Sequence, residues 1–95
     1  MKWEYAINDF KDYLRIERGL SNNSIESYEN DLKKLKIFLN NAKTKKNPLE
    51  VTPDLIKEFI YHISKKIKSS SQSRTISGIR SFYDYLMFEK LIESN

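Results

Sequence analysis

Cysteine is absent from the 95 residues. That excludes a disulfide framework and any thiolate metal site, and it fits a reducing compartment such as the cytoplasm. Only two glycines and two prolines occur, which leaves few places to turn and predicts long helices with short joints. Gly19 and Gly78 alone cannot build a glycine-rich phosphate loop. The single histidine, His62, sits between Tyr61 and Ile63 and reads as a packing or surface residue. A nucleophile therefore lacks an obvious base. The carboxylates are scattered along helix surfaces rather than clustered as metal ligands. No run of about 18 apolar residues is present, so neither a signal peptide nor a membrane span is expected. These absences predict a chain that needs no cofactor or metal and is not itself an enzyme.

What is present argues for one folded domain over residues 1–95. Apolar residues make up 39% of the chain, and six tyrosines, five phenylalanines and one tryptophan supply bulk for a core. The net charge of +4 hides an asymmetry. Residues 1–32 carry four Lys/Arg against seven Asp/Glu, a balance of −3, and residues 33–80 carry twelve against three, a balance of +9. Residues 81–95 return to −2, with one cation against three acids. A basic middle between acidic ends suits a polyanion-facing surface, because phosphate binding rewards clustered cations. It equally describes a lysine-rich solvated surface, and charge alone does not decide between them.

Hydrophobic periodicity predicts an all-α fold, a single four-helix bundle-like domain. The first helix runs over about 3–18, with Trp3, Ile7, Phe10, Tyr13 and Leu14 on its core face. Gly19 ends it, and Leu20 folds back behind the stop. The second helix, about 22–41, opens among Ser21, Asn22, Asn23 and Ser24, where Asn23 with Glu26 has capping-box spacing. It buries Ile25, Tyr28, Leu32, Leu35, Phe38 and Leu39. Residues 42–51 form a basic loop broken by Pro48. The third helix, about 53–66, opens on a Thr52 cap, Pro53 in the first turn and Asp54 facing the dipole. It buries Ile56, Phe59, Ile60 and Ile63. The fourth, about 70–89, follows a Ser69–Gln72 capping pair and buries Ile76, Ile79, Phe82, Tyr83 and Leu86. Residues 90–95 read as an exit segment.

Three stretches together resemble a known family. Gly19-Leu20-Ser21-Asn22-Asn23-Ser24-Ile25, followed by Tyr28, Asp31-Leu32 and Phe38-Leu39, is similar to the second-helix signature of the tyrosine recombinase core-binding domain. Val51 to Ile56 through Phe59-Ile60 resembles its third helix. Arg74 to Leu86, then Ile92 and Asn95, resembles its fourth helix and the approach to a linker. The likeness spans nearly the whole chain in order. Ser24 stands where the family usually has threonine, and Gly78 where a small residue such as alanine is common. In mid-helix that glycine costs roughly 1 kcal/mol unless a close approach requires it. The resemblance implies the SAM-like DNA-binding arm of a recombinase or integrase, Xer-like or from a conjugative transposon. It would clamp double-stranded DNA opposite a separate catalytic domain of the same chain, expected after residue 95, and would meet other recombinase protomers on the DNA.

The helical wheel then proposes DNA-contacting residues. On the fourth helix, Arg74, Ser77 and Ser81 are placed opposite a core side centred on Ile76, Ile79, Tyr83 and Leu86, with Ser73 and Arg80 on the flank. Small hydroxyls beside two arginines let a helix approach the major groove while the guanidiniums reach bases or phosphates. The competing reading is a solvated face, or Arg80 pairing with Asp84 one turn on. The second helix offers Ser24 and Ser27 near its start, then Asn30, Lys33 and Lys34. Hydroxyls at a helix N-terminus suit a phosphate, although Ser24 serves equally as a cap. Lys43, Lys45, Lys46, Lys65, Lys66 and Lys68 read as long-range steering charges. The rival for the whole chain is a helical protein–protein interaction module without DNA binding, whose working face would be apolar or mixed in charge. A stand-alone helix-turn-helix regulator is less favoured, since no joint carries the required short glycine turn.

Overall fold

The chain is described by a computed structural model over residues 2–41 and 46–89. Four helices follow in order: α1 (Trp3–Ile16), α2 (Asn22–Asn41), α3 (Pro53–Ser64) and α4 (Ser69–Phe88). A 3₁₀ turn, Pro48–Glu50, precedes α3, and no strand occurs among the described residues. The all-α, four-helix expectation holds, with helix ends displaced by at most two residues. Lys43, Lys45 and the exit segment at 90–95 lie outside the described residues.

The helix ends show what sets those limits. α1 closes at Ile16 where the Arg18 N–H leaves the helical pattern and shares the Tyr13 carbonyl, at 3.3 Å, with the regular bond from Glu17 at 2.9 Å. Gly19 then adopts a φ of +62°, the left-handed conformation that glycine takes without strain. The Leu20 N–H reaches back to the Leu14 carbonyl at 3.1 Å. At the start of α2 the cap is Ser21 rather than Asn23. Its Oγ accepts from the Ser24 N–H at 3.3 Å, and its carbonyl accepts from the Ile25 N–H at 3.0 Å. Thr52 caps α3 as expected, accepting from the Leu55 N–H at 3.2 Å. The Ser69–Gln72 capping pair does not form: Ser69 is already helical, and Lys68 occupies the cap without a side-chain bond. In the loop, Asn47 and Glu50 make a reciprocal capping box around the 3₁₀ turn, at 2.8 and 3.1 Å.

The core collects one stripe from each helix. Trp3, Ala6, Ile7, Phe10 and Leu14 of α1 meet Ile25, Leu32, Leu35 and Leu39 of α2, Phe59 and Ile63 of α3, and Ile79, Phe82, Tyr85 and Leu86 of α4. Phe10 is the hub of an aromatic cluster. Its ring lies 5.4 Å from both Phe82 and Tyr85 and 5.9 Å edge-on to Tyr28, within the range where ring pairs add to burial. His62 is exposed, with its ring 5.2 Å from that of Phe38, which is a packing role. Two polar bonds fasten the loop to the core: the Trp3 indole donates to the Lys46 carbonyl at 2.9 Å, and the Tyr83 hydroxyl to the Pro48 carbonyl at 3.1 Å.

The face of α4 is rotated from the expected one. The buried residues are Thr75, Gly78, Ile79, Phe82, Tyr85 and Leu86, whereas Ile76 and Tyr83 are only half-buried. The stripe is thus centred near Thr75 and Phe82. Two small residues, Thr75 and Gly78, let α4 lie close against α2 and outcompete the larger Ile76 for the interior.

Candidate nucleic-acid interface

The seam between α2 and α4 is floored by a polar constellation. Asp31 is only 2% exposed, and its carboxylate accepts from the buried Thr75 hydroxyl at 3.2 Å. A Cβ built on Gly78 would stand 2.5 Å from Asp31 Oδ2. The missing side chain is therefore the slot in which the carboxylate sits. The close approach that justifies a mid-helix glycine is met by a neighbouring side chain. Burial pushes the Asp31 carboxyl above its ordinary value, opposed by the Thr75 hydroxyl and then by the charges of Lys34 and Arg74. The same electrostatic coupling brings together one proposed DNA contact from each helix.

The other proposed residues divide around this seam. Arg74 is exposed but stands at the α2-facing margin of α4, beside Thr75, rather than opposite the core. Ser73, Ser77 and Arg80 are exposed and lie farthest from the buried stripe, so Arg80 takes the outward position assigned to Arg74. Ser81 is half-buried and does not stand on the outer face. The correction follows directly from the rotated core stripe. Among the described residues Arg80 makes no ion pair, with Asp84 or otherwise, so the pairing alternative does not form, and an exposed, unpaired Arg80 fits a solvated face as well as a DNA contact.

On α2, Ser27 is half-buried one turn before Asp31, and Asn30 and Lys34 are exposed. Ser24 is exposed yet engaged in the cap, its Oγ accepting from the Ser21 hydroxyl at 3.2 Å. Lys33 lies apart. Its Nζ is 3.6 Å from Glu29, which also meets Lys11 of α1 at 3.2 Å. Burial works against the Glu29 charge, but the Lys11 bond and the two lysine charges outweigh it and hold the carboxyl below its usual range. Lys33 thus faces α1, while Lys34 stands one turn on from Asp31 on the side of the seam. Neither Lys34 nor Arg74 makes a direct ion pair among the described residues, so both cationic heads are free to meet a ligand.

Two features are not legible in the sequence. Asp31 stands there only as part of a signature, since a lone acid among lysines gives no sign of burial. Its one sequence signal is its place beside the core residue Leu32, and the threonine it bonds lies 44 residues away. The second is a shallow groove of about 300 Å³ between the start of α1, the end of α2 and the loop, bordered by Lys2, Lys36 and Lys46. It adds to the basic surface and lies toward the far end of α2 from the seam.

No helix among the described residues is long and apolar enough to cross a membrane, and no three His, Cys, Asp or Glu among them gather as metal ligands. Comparison with known proteins adds the family. Residues 7–90 match the family described as phage integrase, N-terminal SAM-like domain. The chain is 37% identical over 93 residues to tyrosine recombinase XerD of Oceanobacillus iheyensis, covering 97% of this chain and 31% of that protein. It is 36% identical over 94 residues to XerD of Chlorobaculum tepidum, covering 98% of this chain and 30% of the relative. Over 88 residues it is 36% identical to tyrosine recombinase XerC of Leptospira interrogans, with 90% and 28% covered. The chain thus spans about a third of the length of the curated relatives it matches. No solved structure matches it.

Proposed function

The chain belongs to the phage integrase N-terminal SAM-like domain family, and from that premise we propose that it is the DNA-binding arm of a site-specific tyrosine recombinase. In this reading the arm holds one side of a recombination site, and a separate catalytic domain of the full-length protein, expected beyond residue 95, closes on the other. Strand cutting and rejoining belong to that second domain. Contacts with further protomers assemble on the same DNA.

The observation that carries the reading is the α2–α4 seam. Lys34, one turn on from Asp31, and Arg74, next to the Thr75 that bonds it, place exposed and unpaired cations from two helices within electrostatic reach of one buried carboxylate, with Ser73, Ser77 and Arg80 exposed on the neighbouring face of α4. Hydroxyls and unpaired cations on adjacent helices provide phosphate contacts that set register, and a guanidinium at the rim can read a base edge. The remaining lysines of residues 33–80 contribute steering charge.

Titration of duplex DNA across several salt concentrations tests this. An arm engaging about four to six phosphates gives a log–log salt slope of about −4 to −5, with weak affinity and no cleavage. Binding that ignores salt, or no binding alongside capture of a protein partner through the exposed Ile16 and Phe88, would favour a protein–protein module instead. Those two side chains are 76% and 72% exposed, Phe88 with its ring 6.3 Å from Tyr13.

A further inference from the structure

A buried ionised carboxylate is expensive unless something in the fold uses its charge. Asp31 is held from α4 and sits beside a buried residue of its own helix. Thr75 donates to Oδ1 at 3.2 Å, the absent side chain of Gly78 leaves room for Oδ2, and Leu32 beside it is fully buried. This buried negative charge lies within electrostatic reach of two cations from different helices. Lys34 follows Asp31 by three residues on α2, and Arg74 precedes the bonded Thr75 on α4. Two like charges brought to one seam repel each other, and a fixed carboxylate between them offsets that repulsion. Small-residue packing alone would bring the helices together without any acid, and a neutral acceptor would also satisfy the Thr75 hydroxyl.

We infer that Asp31 is a positioning residue for the DNA interface, its carboxylate clamped by Thr75 and Gly78 so that Lys34 and Arg74 converge on one stretch of duplex backbone. The inference rests on the DNA-binding reading above and deepens it. Asp31 touches no DNA itself. It acts by making the two cations one unit, so that their contributions to binding are coupled rather than independent.

The sign of one substitution separates the alternatives. Asp31→Asn keeps the shape and an acceptor for Thr75 but removes the charge. If Asp31 were a bystander, losing a negative charge near DNA would tighten binding. If it served packing alone, the folded variant would bind as the parent does. As a positioning residue it weakens binding by roughly three- to tenfold, on the scale of coupling between neighbouring groups. A mutant cycle supplies the second readout. Lys34→Ala and Arg74→Ala show non-additive losses in the parent and additive losses in the Asp31→Asn background. Circular dichroism of each variant establishes that it is folded. Thr75→Val, which frees the carboxylate but keeps its charge, gives a smaller loss of the same sign and serves if Asp31→Asn does not fold. Unchanged or tighter binding by folded Asp31→Asn, or coupling that persists in it, overturns the inference while the DNA reading stands. Wild-type affinity in both Lys34→Ala and Arg74→Ala also overturns this inference by moving the DNA to another face, whereas absence of salt-sensitive duplex binding by the parent overturns the DNA reading itself.

Discussion

Replacing Gly78 by alanine should destabilise the domain, against the usual rule for a helix interior. At an ordinary mid-helix site the change gains about 1 kcal/mol, because alanine loses less backbone entropy on folding. Here the new Cβ would stand 2.5 Å from Asp31 Oδ2, 3.3 Å from its Cγ and 3.4 Å from its Cβ. That carboxylate is not a free end, being buried and bonded to Thr75 at 3.2 Å. If it moves away, the bond to a charged acceptor is lost, at about 1.5–3 kcal/mol. If it stays, α2 and α4 must part, at about 1–3 kcal/mol for an overpacked interface. Either route costs about 2 kcal/mol, so after the propensity gain the net loss is about 1 kcal/mol. For a domain of this size that lowers Tm by about 4–8 °C. Thermal unfolding followed by circular dichroism reads it directly. In an Asp31→Ala background the slot is empty and the sign reverses, Gly78→Ala then raising Tm. A higher Tm for Gly78→Ala in the otherwise native chain would refute the account, since it would mean that no carboxylate fills the slot.

Arg74→Ala should cost about 1–3 kcal/mol on a cognate duplex if the guanidinium reads a base edge, and little on random sequence. Competition titrations decide it, and equal losses on both duplexes would reassign Arg74 to a phosphate. Lys33→Ala should change affinity and salt slope less than Lys34→Ala, because Lys33 is engaged with Glu29 on the α1 side. The reverse ranking in salt titrations would place the DNA against α1. Asp31 also predicts a pH slope. Its folded pKa is raised above the ordinary 3.8, so just above that pH the folded state keeps a proton the unfolded chain has released. Its contribution to stability is therefore greatest at low pH and falls as pH rises through the raised value. Urea unfolding at stepped pH should show this component vanish in Asp31→Asn. Phe10→Ala, at the centre of the aromatic cluster, should cost about 3–5 kcal/mol, and a denaturation midpoint near that of the parent would contradict the packing described.

Large apolar residues at helical spacing made the four helices and most of the core legible. Trp3, Ile7, Phe10 and Leu14 leave no other face for α1, and the series from Ile25 to Leu39 does the same for α2. Reading failed where small or polar residues decide. The wheel for α4 centres its core side on Ile76, Ile79, Tyr83 and Leu86, yet Thr75 and Gly78 set the close side, because a helix packs nearest where its side chains are shortest. The rotation moved Arg80 outward, Arg74 to the seam and Ser81 partly inside. Caps were also ambiguous, since four consecutive short polar residues at 21–24 offer the same chemistry and only backbone geometry selects Ser21. Lys33 and Lys34 look alike in sequence, but one residue of helical rotation sends the first to Glu29 and the second to the side of the seam. Asp31 was the hardest to see, because its burial depends on a threonine and a glycine from another helix.

The bond from the Trp3 indole to the Lys46 carbonyl has an optical consequence. Trp3 is the chain's single tryptophan, nearly buried and stacked 6.2 Å from Phe82. Contacts along the α1–α2 hairpin join near neighbours, but this bond closes 43 residues and the Tyr83–Pro48 bond closes 35. The length-dependent entropy of closing the longer loop is roughly 3 kcal/mol, so it follows the helices rather than leading them. The indole is thus a fluorophore placed at the last junction to form. In a refolding experiment its emission change should trail the far-ultraviolet helical signal, timing the moment at which the first helix, the fourth helix and the segment at 46–48 are brought together.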